Sequence, residues 1–217
     1  MGQKVNPHGF RLGTLFTWSS RWYAQDKYYK NLLFEDIKLR EALTLRLRSA
    51  GLSRIEIERS INKIDVIILV SRPGLVIGRG GTGLELLKKF VTDFLKRNGK
   101  RDNLKIELRV EPVKEPNLDA HIIASNIAEQ LTKRLPHKRV VNQAIERIMG
   151  AGAKGVKIML SGRIAGAEIS RREKFQKGTV PLSTIREEID FSKIPSLTKS
   201  GYIGVKVWVA KGERKPL

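Results

Sequence analysis

A glycine-rich loop between a short apolar segment and a long amphipathic helix constrains this chain more than any other feature. Residues 73–81 have the sequence Pro-Gly-Leu-Val-Ile-Gly-Arg-Gly-Gly. Three glycines in four positions permit positive φ angles and let a phosphate approach the backbone N–H groups. Arg79 lies inside the loop, and a guanidinium binds phosphate through two parallel hydrogen bonds. We therefore expect Gly78, Arg79, Gly80 and Gly81 to contact an anionic backbone.

The helix after the loop is predicted from apolar residues that recur at helical spacing. Thr82 is the predicted N-cap, with Glu85 completing a capping box, so that the first amides of the helix face the loop. The apolar positions are expected to pack on a sheet, and they are Leu84, Leu87, Val91, Phe94 and Leu95.

Two other interpretations fit the same loop. The spacing Gly78-x-Gly80-x-x-Gly83 matches a dinucleotide-binding pattern. The same spacing begins at Gly150, where it lies between a helix and a strand, in the wrong order for such a site. The third interpretation is a turn between helices that binds no ligand.

Composition favours a nucleic-acid partner. Of the 217 residues, 42 are Lys or Arg and 22 are Asp or Glu, which gives a formal net charge of +20. With 41% hydrophobic residues the chain is globular, so this charge belongs to a folded surface. A membrane partner is not expected, because no basic amphipathic helix carries a bulky aromatic face, and the longest apolar run has the length of a strand.

No pattern in the sequence indicates catalysis. Cysteine is absent, which excludes disulfides and thiolate metal sites, and the three histidines show no ligand spacing. The sequence contains no phosphate-binding loop of the Gly-x-x-x-x-Gly-Lys type and no nucleophile elbow. We expect no metal, no cofactor, no small-molecule substrate and no enzymatic activity.

The N-terminal segment, residues 1–16, is predicted to be an arm. It has Gly, Pro and cations but no periodicity, so its order depends on a contact elsewhere. Lys4 and Arg11 are candidates for phosphate contacts, although a solvated tail is the alternative. The aromatic residues that follow could stack on bases, but packing onto a domain is favoured. These residues are Trp18, Trp22, Tyr23, Tyr28 and Tyr29.

Residues 17–111 are predicted to form one domain. Its elements follow the order helix, strand, strand, short helix, loop, helix and strand, and this order is similar to that of a type II KH domain. A KH domain holds four nucleotides of a nucleic-acid backbone with a Gly-x-x-Gly loop. The proline-containing segment 111–117 marks the boundary of the domain.

Residues 112–217 are predicted to form a second domain, so the fold class is α+β. Two helices, over 117–135 and 137–149, are expected to pack on a small mixed or antiparallel sheet. Short strands are predicted near Ile169 and Val180. Glu187, Glu188 and Asp190 are interpreted as a charged helix face rather than a catalytic cluster.

Two basic groups in the second domain are candidates for RNA contact, with a solvated surface as the alternative. The first brackets a turn at Pro136, and its members are Lys133, Arg134, Lys138 and Arg139. The second follows the first predicted strand, and its members are Arg163, Arg171, Arg172, Lys174 and Lys177.

Six motifs, in order, resemble bacterial-type small-subunit ribosomal protein three over nearly the whole chain. They are Gly2 to Gly13, the loop 73–81, Gly152 to Arg163, Gly166-Ala-Glu168, Val180-Pro-Leu182 and Gly204 to Trp208. The resemblance implies a KH domain followed by a C-terminal domain. It also implies a cytoplasmic protein in the head of the small ribosomal subunit, bound to ribosomal RNA, with ribosomal proteins ten and fourteen as neighbours.

The resemblance further implies contact with mRNA. In that family a basic trio lines the channel where mRNA enters the subunit and takes part in unwinding it. The trio aligns with Lys138, Arg139 and Asn142. Asn142 departs from the pattern because it is neutral, although the other two cations keep the surface positive. A free KH protein acting on mRNA or in transcription is the alternative, and it would not need the C-terminal motifs.

Overall fold

A computed structural model describes residues 4–98 and 105–214 of the chain. The described residues form two compact units. The central unit comprises Trp18–Lys114, and the terminal unit comprises the described residues on either side of it. The predicted N-terminal arm thus groups with the C-terminal part of the chain. Residues 1–3 of that arm lie outside the described residues.

The described residues include α-helices and short 3₁₀ turns. The α-helices are α1 (Pro7–Phe10), α2 (Asp26–Arg46), α3 (Pro73–Ile77), α4 (Thr82–Asn98), α5 (Ala120–Thr132) and α6 (His137–Gly150). The 3₁₀ turns are Arg48–Ala50, Arg79–Gly81, Pro116–Leu118 and Ile164–Gly166.

The strands belong to two four-stranded sheets, one in each unit. The strands are β1 (Ser20–Arg21), β2 (Leu52–Arg59), β3 (Lys63–Val70), β4 (Lys105–Pro112), β5 (Gly155–Gly162), β6 (Arg171–Gly178), β7 (Glu187–Thr198) and β8 (Gly201–Glu213).

The central sheet has the strand order β1-β2-β3-β4. Strand β3 pairs antiparallel with β2 and parallel with β4, so the chain crosses over through α3 and α4 between β3 and β4. Alternate residues of β3 are buried because one face of the sheet packs against α2 and α4. Helix α4 contributes Leu87, Val91 and Leu95 to this core. The predicted element order of the first domain is confirmed.

The terminal sheet is antiparallel, with the order β6-β5-β8-β7. Helices α5 and α6 pack on one face of it, where they form a single core with alternate residues of β5 and β8. The α+β class and the two-helix description of the second domain are therefore confirmed. No helix among residues 4–98 and 105–214 has the length and apolar character needed to cross a bilayer.

Three details of the second domain differ from the sequence prediction. Helix α5 begins at Ala120 and not at residue 117, because the Asp119 carboxylate accepts the N–H groups of His121 and Ile122 and caps the helix there. Neither Ile169 nor Val180 lies in a strand. The strands of this region are β6, which begins at Arg171, and β7, which begins at Glu187.

The third difference concerns the acidic cluster. Glu187, Glu188 and Asp190 lie in strand β7, so the predicted helix face is wrong. Asp190 is turned inward, where it contacts the N-terminal segment and the start of α5.

Candidate nucleic-acid interface

The glycine-rich loop connects α3 to α4 with three left-handed residues. The φ angles of Gly78, Gly80 and Gly81 are 71°, 62° and 81°, values that favour glycine. Apart from the adjoining residues, no described atom lies within 4 Å of the position that a Cβ would occupy at Gly80 or Gly81. A ligand can therefore come close to this backbone without meeting a side chain.

Gly83 sets the distance between the end of α3 and the start of α4. A Cβ on this residue would lie 2.5 Å from the Val76 carbonyl oxygen and 2.9 Å from that of Ile77. Thr82 has helical angles, and its hydroxyl donates to the Arg79 carbonyl at 3.1 Å. The predicted N-cap at Thr82 is therefore wrong, because the residue lies inside the helical turn and its hydroxyl is a donor.

The Arg79 side chain is exposed at the tip of this loop. It makes no hydrogen bond or ion pair with any residue that the structure describes, so the guanidinium is available to a ligand. An available guanidinium beside open glycine backbone is a suitable combination for a phosphodiester group.

The terminal sheet has a second basic surface, on the side opposite α5 and α6. Met159 of β5 pairs with Lys174 of β6 on one side and with Lys206 of β8 on the other. Lys206 also pairs with Lys193 of β7. Paired residues of an antiparallel sheet share a face. We call this surface the basic face, and it comprises Lys157, Arg172, Lys174, Lys193 and Lys206.

Like charges on the basic face influence one another. Burial lowers the pKa of Lys157 below its usual value, and the positive charges of Lys174 and Lys4 lower it further. The Nζ atom of Lys157 lies 5.1 Å from the ring centroid of Trp208. The N-terminal segment thus adds Lys4 to this surface, and a bound phosphate would relieve the repulsion among the three lysines.

Arg171 and Arg172, predicted as one group, lie on opposite faces of the edge strand β6. Arg172 pairs with Ser161 and belongs to the basic face. Arg171 lies on the helix side, where its Nε is 3.1 Å from a carboxylate oxygen of Glu173. Arg172 is therefore the freer of the two for RNA contact.

The corner between α5 and α6 carries the first basic group. Lys133 follows the end of α5, while Lys138, Arg139 and Asn142 lie in the first turns of α6. The side chains of all four are exposed. The apolar positions of α6 face the core, so this helix presents a polar side that is positive near its N-terminus.

Two residues from the separate basic groups meet at one cavity. Arg134 from the corner and Arg163 from the turn after β5 both line a cavity of about 470 Å³. Lys199, from the turn between β7 and β8, lies on the same wall. The fold therefore joins cations that are far apart in the sequence.

Comparisons with known proteins agree with this arrangement. Residues 38–118 match the family model described as KH domain, and residues 127–209 match that of the ribosomal protein S3 C-terminal domain. The chain is 46%, 45% and 44% identical to three proteins named small ribosomal subunit protein uS3. They come from Carboxydothermus hydrogenoformans, Shouchella clausii and Clostridium acetobutylicum, respectively. Each alignment covers 100% of this chain and 94–95% of the relative.

The chain belongs to the small ribosomal subunit protein uS3 family. The family predicted from the six motifs is confirmed. Membership of uS3 also confirms a structural ribosomal protein with a KH domain, rather than an enzyme.

One predicted RNA contact of this chain is wrong. Arg11 is completely buried in the terminal unit. Its Nε donates to the Glu187 carbonyl at 2.7 Å and its Nη2 to the Thr184 carbonyl at 2.8 Å, with further carbonyls of Pro7, Pro181 and Leu182 in reach. The guanidinium holds the N-terminal segment against β7 and is not accessible to phosphate. Burial lowers the pKa of Arg11, and the nearby charge of Glu187 opposes that shift.

The prediction that the early aromatic residues pack onto a domain is correct for Trp22, and the ring of Tyr29 lies 5.3 Å from its ring. Its indole N–H donates to the Asp36 carboxylate at 2.7 Å. Trp18 and Tyr23 are 67% and 91% exposed, and Tyr28 and Tyr29 are also largely exposed.

Several basic residues of the interface were not predicted from the sequence. Lys157 and Lys206 each lie between two buried apolar residues of a strand, so strict alternation already placed them on the face opposite the core. Lys193 required the position of β7. No sequence pattern marks Lys199 as a site residue, because only the tertiary fold brings its turn to the cavity.

No group of three or more metal-binding side chains lies among the residues that the structure describes. Acidic side chains near the interface form ion pairs with cations, as Glu173 does with Arg171. The chemistry of the described surface is therefore that of cations and backbone amides.

Proposed function

We propose that this chain binds ribosomal RNA in the head of the small ribosomal subunit and contacts mRNA where it enters that subunit. In a bacterium this location is cytoplasmic. The observation that carries the proposal is the exposed, unpaired Arg79 within a left-handed glycine loop, in a chain similar to uS3 proteins over its full length.

The glycine-rich loop and the basic face supply the contacts with ribosomal RNA. Both surfaces present cations to solvent with few acidic neighbours, and a chain with a formal charge of +20 requires a polyanion to neutralise it on assembly. Each phosphate contact releases counterions, so the affinity for RNA should fall steeply as salt rises. Several such contacts distributed over two units fit a structural component that is held permanently in one RNA.

The start of α6 supplies the contact with mRNA. Lys138 and Arg139 are exposed in its first turn, and Asn142 lies one turn further on the same side. The helix N-cap, Pro136, makes no side-chain hydrogen bond, so the first amides of α6 keep their positive potential. The two cations and the helix end together attract an incoming strand.

The test of the mRNA contact compares structured and unstructured messages in reconstituted ribosomes. Replacing Lys138 and Arg139 together by Gln should slow translation through a stable hairpin several-fold and leave an unstructured message unaffected. Asn142→Lys, which supplies the third cation of the family pattern, should speed passage through the hairpin.

The control for this test is Arg147→Gln, which removes one charge two turns further along α6. This control should leave passage through the hairpin unchanged. Equal slowing on both messages, or no slowing on either, would contradict the mRNA contact.

The exposed side of α2 is the proposed contact for ribosomal proteins ten and fourteen. Tyr29, Leu33 and Ile37 follow one another at four-residue spacing and are 49%, 38% and 42% exposed, with Phe34 beside them at 50%. Apolar side chains grouped on an exposed helix indicate a protein partner rather than a phosphate backbone. Ile37→Asp should weaken binding of these two proteins to reconstituted subunits and leave binding of the chain to RNA unchanged.

A further inference from the structure

The cavity between the α5–α6 corner and the β7–β8 turn combines an apolar floor with a cationic rim. Leu131, Leu160 and Ile203 contribute to the floor of this space of about 470 Å³. Arg134, Arg163 and Lys199 line it as well, and no acidic residue does so among those the structure describes. The volume lies within the range of small-ligand sites.

Backbone strain is concentrated at this cavity. Arg134 and Ala165 have φ angles of 60° and 56°, and they are the two non-glycine residues with positive φ in the described chain. Both line the cavity. Because left-handed angles are unfavourable for residues with a Cβ, strain of this kind often marks a functional site.

The strain at Arg134 has a specific origin. Its N–H donates to the Leu131 carbonyl at 2.9 Å, while the N–H of Leu135 donates to the Gln130 carbonyl at 3.2 Å. This pair of bonds is a Schellman motif, in which the left-handed residue is usually glycine. An arginine at that position costs stability relative to glycine, so its side chain serves a purpose other than ending the helix.

The cations of the rim have unused donors. The side chains of Arg134 and Lys199 make no hydrogen bond or ion pair with any described residue. Arg163 donates only its Nε, to the Ala167 carbonyl at 2.8 Å, which leaves both terminal nitrogens for a ligand. The uncapped start of α6 at Pro136 and His137 forms part of the same wall, and its amides also favour an anion.

We propose that this cavity binds one unstacked nucleotide of single-stranded RNA. The base lies on the apolar floor, and the phosphate is held at the rim by Arg134, Arg163 and Lys199. A phosphate alone would not need the apolar floor, and an apolar ligand would not need three unpaired cations. Proteins recognise single-stranded RNA by holding splayed bases in this manner. The inference rests on the proposed RNA-binding function and assigns a site to it.

The experiment uses the full chain with its isoleucine methyl groups labelled for NMR. Ile164 and Ile203 line the cavity, so their signals report its occupation. The probes are adenosine 5′-monophosphate, ribose 5-phosphate and a hexamer of adenylate. The monophosphate should move both methyl signals saturably, whereas ribose 5-phosphate, which lacks the base, should bind at least tenfold more weakly. The hexamer should move the same signals and compete with the monophosphate.

Two variants separate specific binding from general charge. Arg134→Gly suits the left-handed angle, so it should fold at least as well as the wild type and bind the monophosphate about tenfold more weakly. Lys38→Gln removes a charge from the exposed side of α2 in the central unit and should bind the monophosphate as the wild type does. Equal effects of both variants would overturn the proposal, as would unmoved signals of Ile164 and Ile203.

The outcomes also distinguish this site from the function on which it rests. If the hexamer binds in a salt-dependent manner but leaves both methyl signals unmoved, the cavity is not an RNA site and the proposed function stands. If the monophosphate binds there but the hexamer does not compete, the site takes free nucleotides only and the RNA proposal for it is wrong. If neither the hexamer nor ribosomal RNA binds the chain, the proposed function itself fails.

Discussion

The Nε2 atom of His8 lies 2.9 Å from Oδ1 of Asp190, which joins the N-terminal segment to strand β7. The other oxygen of the same carboxylate accepts the N–H of Ala120 at 2.8 Å, at the start of α5. One partly buried side chain therefore connects the N-terminal segment, the sheet and a helix. The polypeptide segments it joins are up to 182 residues apart in the sequence.

This connection makes stability depend on pH. Burial alone would raise the pKa of Asp190, but the contact with His8, the N–H of Ala120 and the charge of Lys211 lower it below the usual value of an aspartate. A lowered folded-state pKa gives stability that is fully present above the unfolded value and is lost as pH falls through the folded one. The contribution of Asp190 should therefore disappear below about pH 4.

The check compares the wild type with Asp190→Asn by urea unfolding across pH. At pH 7 the variant should be less stable by about 1–2 kcal/mol. The difference should shrink as the pH is lowered below the usual aspartate range. A difference that stays constant down to pH 3 would show that the carboxylate charge has no part in this contact.

Arg11 should matter for stability and not for RNA. Arg11→Met removes donors from buried carbonyl groups and should destabilise the terminal unit by about 3 kcal/mol. Hydrogen exchange of β7 should reveal the loss as faster exchange. Arg186→Met, at an exposed position, is the matched control and should leave the exchange unchanged. If Arg11→Met weakened RNA binding without affecting β7, its assignment as a structural residue would be wrong.

Gly80 in the loop and Gly83 at the start of α4 should respond differently to alanine. Gly83→Ala places a Cβ against two carbonyl oxygens, and we expect a loss of about 2–3 kcal/mol together with weaker RNA binding. In Gly80→Ala the new Cβ lies in open space, so the loss of stability comes only from the positive φ and should be about 1 kcal/mol. Urea unfolding of both variants tests the order, and equal losses would disprove the close approach at Gly83.

Arg79 should act on affinity alone. Arg79→Gln should weaken binding to ribosomal RNA about fivefold to tenfold, with no change in the free energy of unfolding. The slope of the logarithm of affinity against the logarithm of salt concentration should fall by about one unit. Filter binding at several salt concentrations gives both quantities, with Lys38→Gln as the control of equal charge. An unchanged slope would mean that Arg79 touches no phosphate.

The glycine-rich loop was predictable because its chemistry is local. Glycines that need positive φ and the arginine between them lie within four consecutive residues, so no tertiary information is required to place them together. Lys138 and Arg139 were predictable for the same reason. In contrast, Arg11 is buried where it donates to carbonyl groups that lie about 170 positions away in the sequence. Composition alone cannot distinguish such an arginine from an exposed one.

Strand β7 escaped prediction for a different reason. Its first residues, Glu187 and Glu188, are acidic, and Pro195 interrupts the alternation further on. The strand lies at the edge of the terminal sheet, where a missing N–H is tolerated, so a proline does not exclude it. The basic face was partly missed as a consequence, because Lys193 is assigned to it only through the register of β7 with β8.

The most direct test of the central claim is sedimentation of a cell lysate through a sucrose gradient at moderate salt. The full chain is followed through the fractions by mass spectrometry. A structural protein of the small ribosomal subunit should be found with that subunit, and it should leave the fraction only at high salt. If the chain stays at the top of the gradient as a free protein, its proposed place in the subunit is contradicted.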